Sequence, residues 1–455
     1  MNFTSMFEPK TMAVIGVSLK NDHNPANVIY NKNSLRYPVE VFPVNPSGGA
    51  LQGTEVFTHI SKIPKKVDLA VIAARAEHCP SILTDCIRAD VGGAAVISGG
   101  FAESGRSDLQ DQMAAIAKEA AFPFIGPNCL GIFSPSHVDT FFLPSERMVS
   151  PDAGNVSIVS QSGGILVDQL LKFAEEGVGI SKAISIGNKA FIREVDLIHY
   201  FAEDPNTRVL AFYVEGFGKN EGREFVLAAS QCPKPVIVLK AGKTPGGSRA
   251  VSSHTASLAG DYETFSAILS QFGVVEAKNE FEMVSFCESL SCYQRSIEGR
   301  IGIITGSGGH GALAVDTCTA YGLSAPQLTE SDQVELKGHL SGSIREIAAL
   351  SNPIDLTGSA VDDDFVASAE YLGRLPEIEC IIVLLLPYLP GITSDLGARL
   401  SRIYQENRKP LIAYVPHVDK YGMLIEGFEL NRVPVSHSIE GAVHMVEAMR
   451  RCKPC

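Results

Sequence analysis

Three times along the chain, a run of apolar residues enters a turn rich in serine and glycine and continues into an amphipathic helical pattern. The first is Met12-Ala13-Val14-Ile15-Gly16-Val17-Ser18. The second ends in Ile158-Val159-Ser160-Gln161-Ser162-Gly163-Gly164, and the third in Ile303-Ile304-Thr305-Gly306-Ser307-Gly308-Gly309. A strand that is apolar on both faces belongs in a parallel sheet covered by helices. Strands alternating with helices of about 10–15 residues indicate a doubly wound sheet. The expected class is therefore α/β. The likeness of the second and third runs suggests two related flavodoxin-like folds, a domain duplication and not a solenoid.

The intervening pattern places further strands at 39–44, 67–73 and 94–98, with helices starting near Pro25 and at 80–90 and 107–121. The stretch 134–154 holds Pro135, Pro144 and Pro151 without a clear period, and it reads as a linker. Beyond it come a helix at 165–176, strands at 183–186, 209–214 and 236–239, and a helix at 195–202. Residues 246–260 read as a long polar loop, followed by helices at 262–272 and 280–292. After a second linker at 293–299 the third round has a helix at 312–321 and strands at 380–386, 411–415 and 433–435. The expected domains are 1–134, 151–292 and 299–455.

Composition narrows the function classes. The 455 residues carry a net charge of −13, which argues against non-specific binding to nucleic acid or anionic membrane. The longest apolar run, 381–386, is broken by Pro387 and falls short of the roughly 20 residues of a membrane span. No basic and apolar leader pattern opens the chain. The ten cysteines form no paired CxxC…CxxC zinc pattern, and Cys452/Cys455 read as a tail thiol pair. His59, His78, His199, His339 and His444 occur singly, without ligand spacing. A reduced, cytoplasmic setting is expected, with no resident metal.

Candidate chemistry sits at strand ends. Gly16, Val17 and Ser18 form a turn where backbone can approach a pyrophosphate, though the G-x-G-x-x-G spacing of a nicotinamide site is not met. A tight turn alone fits the same residues. Ser98-Gly99 and Asn128-Cys129 would converge on that edge. Ser162, Gly163 and Gly164 open a helix, and exposed N–H groups there suit an anion. Ser307-Gly308-Gly309 has the same form. Glu215 ends an apolar strand, and His254 lies among small hydroxyl residues with Lys243 and Arg249 nearby. A carboxylate accepting from one imidazole nitrogen leaves the other free as a nucleophile. A surface glutamate and an incidental loop histidine are the plain alternatives.

Taken together these segments resemble the α subunit of ADP-forming (NDP-forming) acyl-CoA synthetases, relatives of succinyl-CoA synthetase. The resemblance runs through Val14-Ile15-Gly16-Val17-Ser18, Phe42-Pro43-Val44-Asn45-Pro46, Ile125-Gly126-Pro127-Asn128-Cys129-Leu130-Gly131 and Ser160-Gln161-Ser162-Gly163-Gly164. It continues through Val214-Glu215-Gly216, Ser252-Ser253-His254-Thr255-Ala256-Ser257-Leu258-Ala259-Gly260 and Asn352-Pro353-Ile354-Asp355-Leu356. It implies an N-terminal Rossmann-like CoA-binding domain and two flavodoxin-like succinyl-CoA-synthetase-type domains. Gly16, Val17, Ser18, Pro43, Asn45, Ser98, Gly99, Asn128 and Cys129 would line the coenzyme A cleft. His254 would carry phosphate, Glu215 would orient it, and Ser162, Gly163 and Gly164 would hold the phosphoryl group. Val167 is a candidate for the acyl pocket.

The implied reaction converts acyl-CoA, ADP and phosphate reversibly to a small carboxylic acid, CoA and ATP. No ATP-grasp region is found, so ATP, ADP and Mg2+ would be held by a partner ATP-grasp β subunit in a hetero-oligomer. Two further departures stand out. Ser47-Gly48-Gly49 replaces the lysine often found after Pro-Val-Asn-Pro, with Lys20 a possible substitute. His310 stands where the family commonly has proline. A catalytically idle CoA-binding regulatory or scaffold protein of the same fold is the alternative function.

Overall fold

The computed structural model describes residues 3–255 and 261–452, with 252–255 as backbone only. By contacts the chain divides into two compact units, Met1–Lys278 and Asn279–Cys455. The first holds two sheets and the second holds one.

The first sheet is parallel and five-stranded, in the order Glu40–Val44, Thr11–Ile15, Leu69–Ile72, Ala94–Val96 and Phe124–Ile125. Every residue from Leu69 to Ile72 and from Ala94 to Val96 is buried, as a sheet covered on both faces requires. The first strand lies between the second and third, so the chain leaves the centre in opposite directions. The second sheet repeats this order with Val275–Ala277, Val236–Lys240, Val209–Val214, Ala153–Ser160 and Ile180–Ser185, all parallel. The sheet of the second unit repeats it again with Ile354–Asp355, Ile301–Thr305, Cys380–Leu384, Leu411–Tyr414 and Val435–Ser436. The helix Glu280–Cys292 packs within that second unit, chiefly on the last helix, Ile439–Arg451.

Two local expectations are corrected. The start of the presumed linker is structured: Gly131–Ser134 and Val138–Asp139 form a hairpin that adds to the second sheet antiparallel to Ile180–Ser185. Its prolines hide it from a search for period. The hairpin is anchored by Asp139, which is buried and paired with Lys32 at 2.7 Å. Lys32 also donates to the Phe141 carbonyl at 2.7 Å, and Asn33 donates to the Asp139 carbonyl at 2.7 Å. Both come from helix Pro25–Arg36, so the hairpin ties the first sheet's helix to the second sheet.

The second correction is that the polar loop expected from 246 is a helix, Pro245–Thr255. Its glycines and serines carry poor helix propensity, but its start is well made. Thr244 accepts from the Gly247 N–H at 3.1 Å, and proline at the first helical position sacrifices no hydrogen bond. Val251 is buried on the inner face. Residues 256–260 of that expectation lie outside the described residues, as does Cys455.

The two sheets of the first unit share one core. Val14 and Leu69 of the first cluster with Val159, Ile184 and Phe212 of the second. Backbone bonds cross the seam: Asn188 N–H donates to Pro127 O at 2.9 Å and Ala190 N–H to Gly126 O at 3.0 Å. Gly187 makes this approach possible. A Cβ there would lie 2.3 Å from Asn128 O, and its φ is +53°. Among the described residues, no helix is long and apolar enough to cross a membrane.

Removing one partner of a buried ion pair strands the other charge. Lys32→Met is therefore expected to lower the stability of the first unit by about 3–5 kcal/mol in denaturant unfolding. Lys32→Met combined with Asp139→Leu should recover most of that loss. A double variant no more stable than the single would show that the charge pair is not what holds the hairpin.

Candidate active site

Where strand order reverses, helices leave on opposite faces and a crevice opens at the carboxyl edge of the sheet. In the second sheet the reversal lies between Ala153–Ser160 and Val209–Val214, which pair directly. The residues leaving these strands are Gln161-Ser162 and Glu215-Gly216.

Ser162 caps helix Gly163–Glu175, its side chain accepting from the Ile165 N–H at 3.4 Å. Ser160 Oγ closes the turn, donating to Ser162 O at 2.6 Å and accepting from Ser162 N–H at 3.1 Å. Gly163 packs on Leu130, whose Cγ lies 2.9 Å from where a Cβ would be. Gly164 faces open space. The helix end thus presents bare backbone N–H groups to a cleft of about 440 Å³. Leu130, Phe142, Leu143 and Val167 form its apolar wall, and Asn128, Gln161, Asn188 and Lys189 its polar one. A larger groove of about 640 Å³ is walled by Phe217, Phe265 and Phe272.

Glu215 is buried, 5% exposed. Its N–H and that of Gly216 both donate to Gln161 Oε1, at 2.7 and 3.0 Å. Its carbonyl accepts from the buried Lys240 ammonium at 2.7 Å. Burial lowers the Lys240 pKa from its ordinary value, and the Glu215 charge opposes that shift. Helix Pro245–Thr255, which carries position 254, follows the strand Val236–Lys240 beside Glu215's strand. The His254 side chain lies outside the described residues. Lys243 donates to the Lys278 carbonyl at 2.6 Å, and Arg249 is exposed.

The first sheet brings the expected coenzyme residues to its carboxyl edge. Gly16 has φ +107°, and a Cβ there would lie 2.2 Å from Ala73 O. Its N–H donates to Val44 O at 2.9 Å, and Asn45 Nδ2 donates to Val17 O at 2.7 Å. Ser18 N–H donates to Asn27 Oδ1 at 2.6 Å. Pro43 is buried in the neighbouring strand, Glu40–Val44. Asn128 N–H donates to Ser98 O at 2.9 Å, and its side chain borders Gly99. Cys129 lines the cleft, but burial pushes its thiol up to about 12, so it contributes shape and not a thiolate. Exposed Lys20 and Arg75 leave the two central strands at this edge, while Ser47 and Gly49 are exposed where a lysine was expected.

Sequence reasoning overlooked several supports. Glu103 accepts from Gly100 N–H at 2.6 Å, Phe101 N–H at 3.1 Å and Asn188 Nδ2 at 2.6 Å. Burial alone would raise its pKa, but these bonds hold it below the ordinary value. Gln161, Lys189 and Glu194 were likewise missed as a group. The third sheet's turn is built like Ser160–Ser162, with Thr305 Oγ1 closing on Ser307. There, however, an Asp355 carboxylate oxygen lies 2.9 Å from a Cβ position on Gly308. At the equivalent position, Gly163, the neighbour is the apolar Leu130, so the two helix ends differ in the charge beside them. His310 faces Ser307 Oγ at 3.1 Å, as a helix N-terminal residue. Among the described residues no group of three or more His, Cys, Asp or Glu side chains is arranged to hold a metal ion.

Residues 10–135 match the family model of a CoA binding domain, and residues 153–290 that of the succinyl-CoA ligase like flavodoxin domain. The chain is 34% identical over 420 residues to the subunit alpha of acetate–CoA ligase (ADP-forming) II from Pyrococcus furiosus, covering 90% of this chain and 88% of that one. It is 35% identical to acetate–CoA ligase (ADP-forming) I from Archaeoglobus fulgidus, over 84% of this chain and 54% of that protein. The chain thus spans about half the length of that relative. A solved structure, the dinucleotide forming acetyl-coenzyme A synthetase 1 of Ca. Korarchaeum cryptofilum in complex with phosphate and ADP, matches with a TM-score of 0.87 at 29% identity. That match covers 99% of this chain and 96% of that chain.

The geometry separates two glycines that look alike in sequence. Gly16→Ala should abolish CoA binding and cost about 1–3 kcal/mol in backbone strain, read by calorimetry and thermal unfolding. Gly164→Ala, with room for its methyl, should leave the melting temperature unchanged. The reverse ranking would contradict the assigned backbone.

Proposed function

The chain belongs to the ADP-forming acetyl-CoA synthetase α-subunit family, with succinyl-CoA ligase-like CoA-binding and flavodoxin domains; from that membership we propose that it is the CoA-binding, phosphohistidine-carrying subunit of an ADP-forming acid–CoA ligase. Phosphate attacks the acyl carbon of acyl-CoA, the C–S bond breaks, and CoA leaves. The acyl phosphate then passes its phosphoryl group to an imidazole nitrogen of His254 as the P–O bond breaks and the carboxylate departs. Phosphohistidine delivers the group to ADP, which an ATP-grasp β subunit would hold with Mg2+.

One observation carries this reading. A buried glutamate and a glycine-opened helix end share the reversal point of one sheet, and the next strand leads into the segment bearing His254. Glu215 would accept a hydrogen bond from one imidazole nitrogen, leaving the other to take phosphorus. The Ser162 helix end would stabilise the phosphoryl charge by up to about 2 kcal/mol when partly buried. In the first sheet the Gly16, Ser98 and Asn128 turns would receive coenzyme A, with Lys20 and Arg75 for its phosphates. Among the described residues lining the cleft, Lys189 is the one cation, and Glu194 and Glu221 already pair with it. No cation among the described residues lining the cleft is spare for a second substrate carboxylate. That favours a monocarboxylate as the acid, its tail against Leu130, Phe142, Leu143 and Val167.

Mixed with its β subunit and labelled ATP, the wild-type chain should gain acid-labile, base-stable phosphate. His254→Asn should gain none, and Glu215→Gln should gain it at least about tenfold more slowly. The isolated chain with ATP alone should stay unlabelled. Label on His254→Asn removes the carrier assignment, and an unlabelled wild-type complex favours a CoA-binding scaffold. In a CoA titration, Lys20→Ala with Arg75→Ala should raise Kd about tenfold or more, consistent with two lost charge-assisted bonds. An unchanged Kd would place the CoA phosphates elsewhere.

A further inference from the structure

Strand pairing in the second sheet stops one residue before Glu215, where Ala241 N–H donates to Val214 O. Glu215 and Gly216 are both buried, so their four backbone polar groups need partners that the sheet no longer supplies. All four find them in side chains. Gln161 Oε1 takes both N–H groups. Lys240 donates to the Glu215 carbonyl. The Gly216 carbonyl accepts from Gln161 Nε2 at 2.9 Å and from Lys189 Nζ at 3.2 Å. Glu194, 2% exposed, accepts from Gln161 Nε2 and pairs with Lys189 at 3.2 Å, which joins the two donors.

Lys189 is itself anchored to the first sheet. The N–H groups on either side of it, those of Asn188 and Ala190, donate to Pro127 O and Gly126 O, immediately before Asn128 and Cys129. Its ammonium is also held by Glu221 at 2.9 Å, and it sits 5.1 Å from the Phe217 ring centre. A lysine with this many partners has no donor to spare for a substrate, although it lines the cleft.

We propose that Lys189 and Gln161, coupled through Glu194, are positioning residues that fix the Glu215–Gly216 backbone relative to the CoA-binding sheet. The proposal rests on the phosphohistidine reading for its catalytic consequence, but its structural core does not need it. Glu215 can steady an imidazole only if its own backbone and that of Gly216 are held, and of the three side chains that hold the pair, Gln161 bonds both residues and Lys189 bonds the Gly216 carbonyl. A shift of the 126–128 segment is transmitted to Glu215 through Lys189.

The test uses the full chain, alone and with its β subunit, in Gln161→Met, Lys189→Met and the double variant. Methionine keeps the length and removes the donors and, at position 161, the amide oxygen that accepts from both N–H groups. Amide hydrogen exchange on the isolated chain reads the structural claim. Exchange at Gly216 should quicken about tenfold or more in both single variants, since local opening sets that rate, while CoA Kd stays within about twofold. In the complex, phosphoenzyme formation should slow at least about tenfold in each, and the double variant should be no worse than the poorer single, as for residues acting as one unit. Unchanged exchange in Lys189→Met overturns the proposal. So does a CoA Kd or acid KM raised about tenfold with phosphoryl transfer intact, which would make Lys189 a ligand. Losses that multiply in the double variant overturn the coupling. If Lys189→Met does not fold, Lys189→Gln, which removes the charge and retains an amide NH2, is read by the same criteria. A wild-type complex that forms no phosphoenzyme contradicts the proposed function, and the exchange result still decides this one.

Discussion

A strand that ends inside a protein leaves backbone groups that the ladder no longer satisfies, and that requirement shapes the candidate site. Glu215 can be buried at a strand end only because Gln161 and Lys240 take over where the sheet stops. The same economy appears at three other strand exits, where Ser160, Thr305 and Ser436 each bond both polar groups of the residue two positions on. What distinguishes these exits is the group facing them. Opposite Gly163 stands the apolar Leu130, and opposite its counterpart Gly308 stands the Asp355 carboxylate. One architecture thus yields one helix end with an apolar neighbour and one with an acidic neighbour.

The first unit works as a single body because its two sheets exchange structure. The hairpin Gly131–Ser134 and Val138–Asp139 extends the second sheet while its aspartate is tied to a helix of the first. Burying such a pair gains little net stability by itself, but it fixes the relation of the two sheets. The backbone bonds from Asn188 and Ala190 do the same at the edge where both sheets open. In the proposed reaction a thioester carbon and a phosphoryl acceptor have to meet within a few ångströms, and this rigidity would serve that step.

Most of the fold was legible in the sequence because buried parallel strands write themselves as unbroken apolar runs. The runs at 12–15, 209–214 and 380–384 needed no further context. Other features depended on partners far along the chain. The hairpin owes its place to Lys32, and nothing near Val138 signals that. Helix Pro245–Thr255 has a composition that argues for a loop, and its start rests on a threonine cap and a single proline. Gln161 was visible within Ser160-Gln161-Ser162, but its work is done on Glu215 and Gly216 across the sheet. Lys189 reads as an ordinary turn lysine until the seam with 126–127 is seen. Spacing also could not separate Gly163 from Gly308, since the side chains opposite them, Leu130 and Asp355, come from elsewhere in the chain.

The most direct measurement locates phosphorus when no nucleotide is present. The full chain with its β subunit, given an acyl-CoA and phosphate but no ADP, would be digested in base and mapped by tandem mass spectrometry. The account predicts CoA release with one phosphate per chain, borne on His254. Release of CoA and acid with no phosphorylated histidine, or with phosphate on another residue, would contradict it.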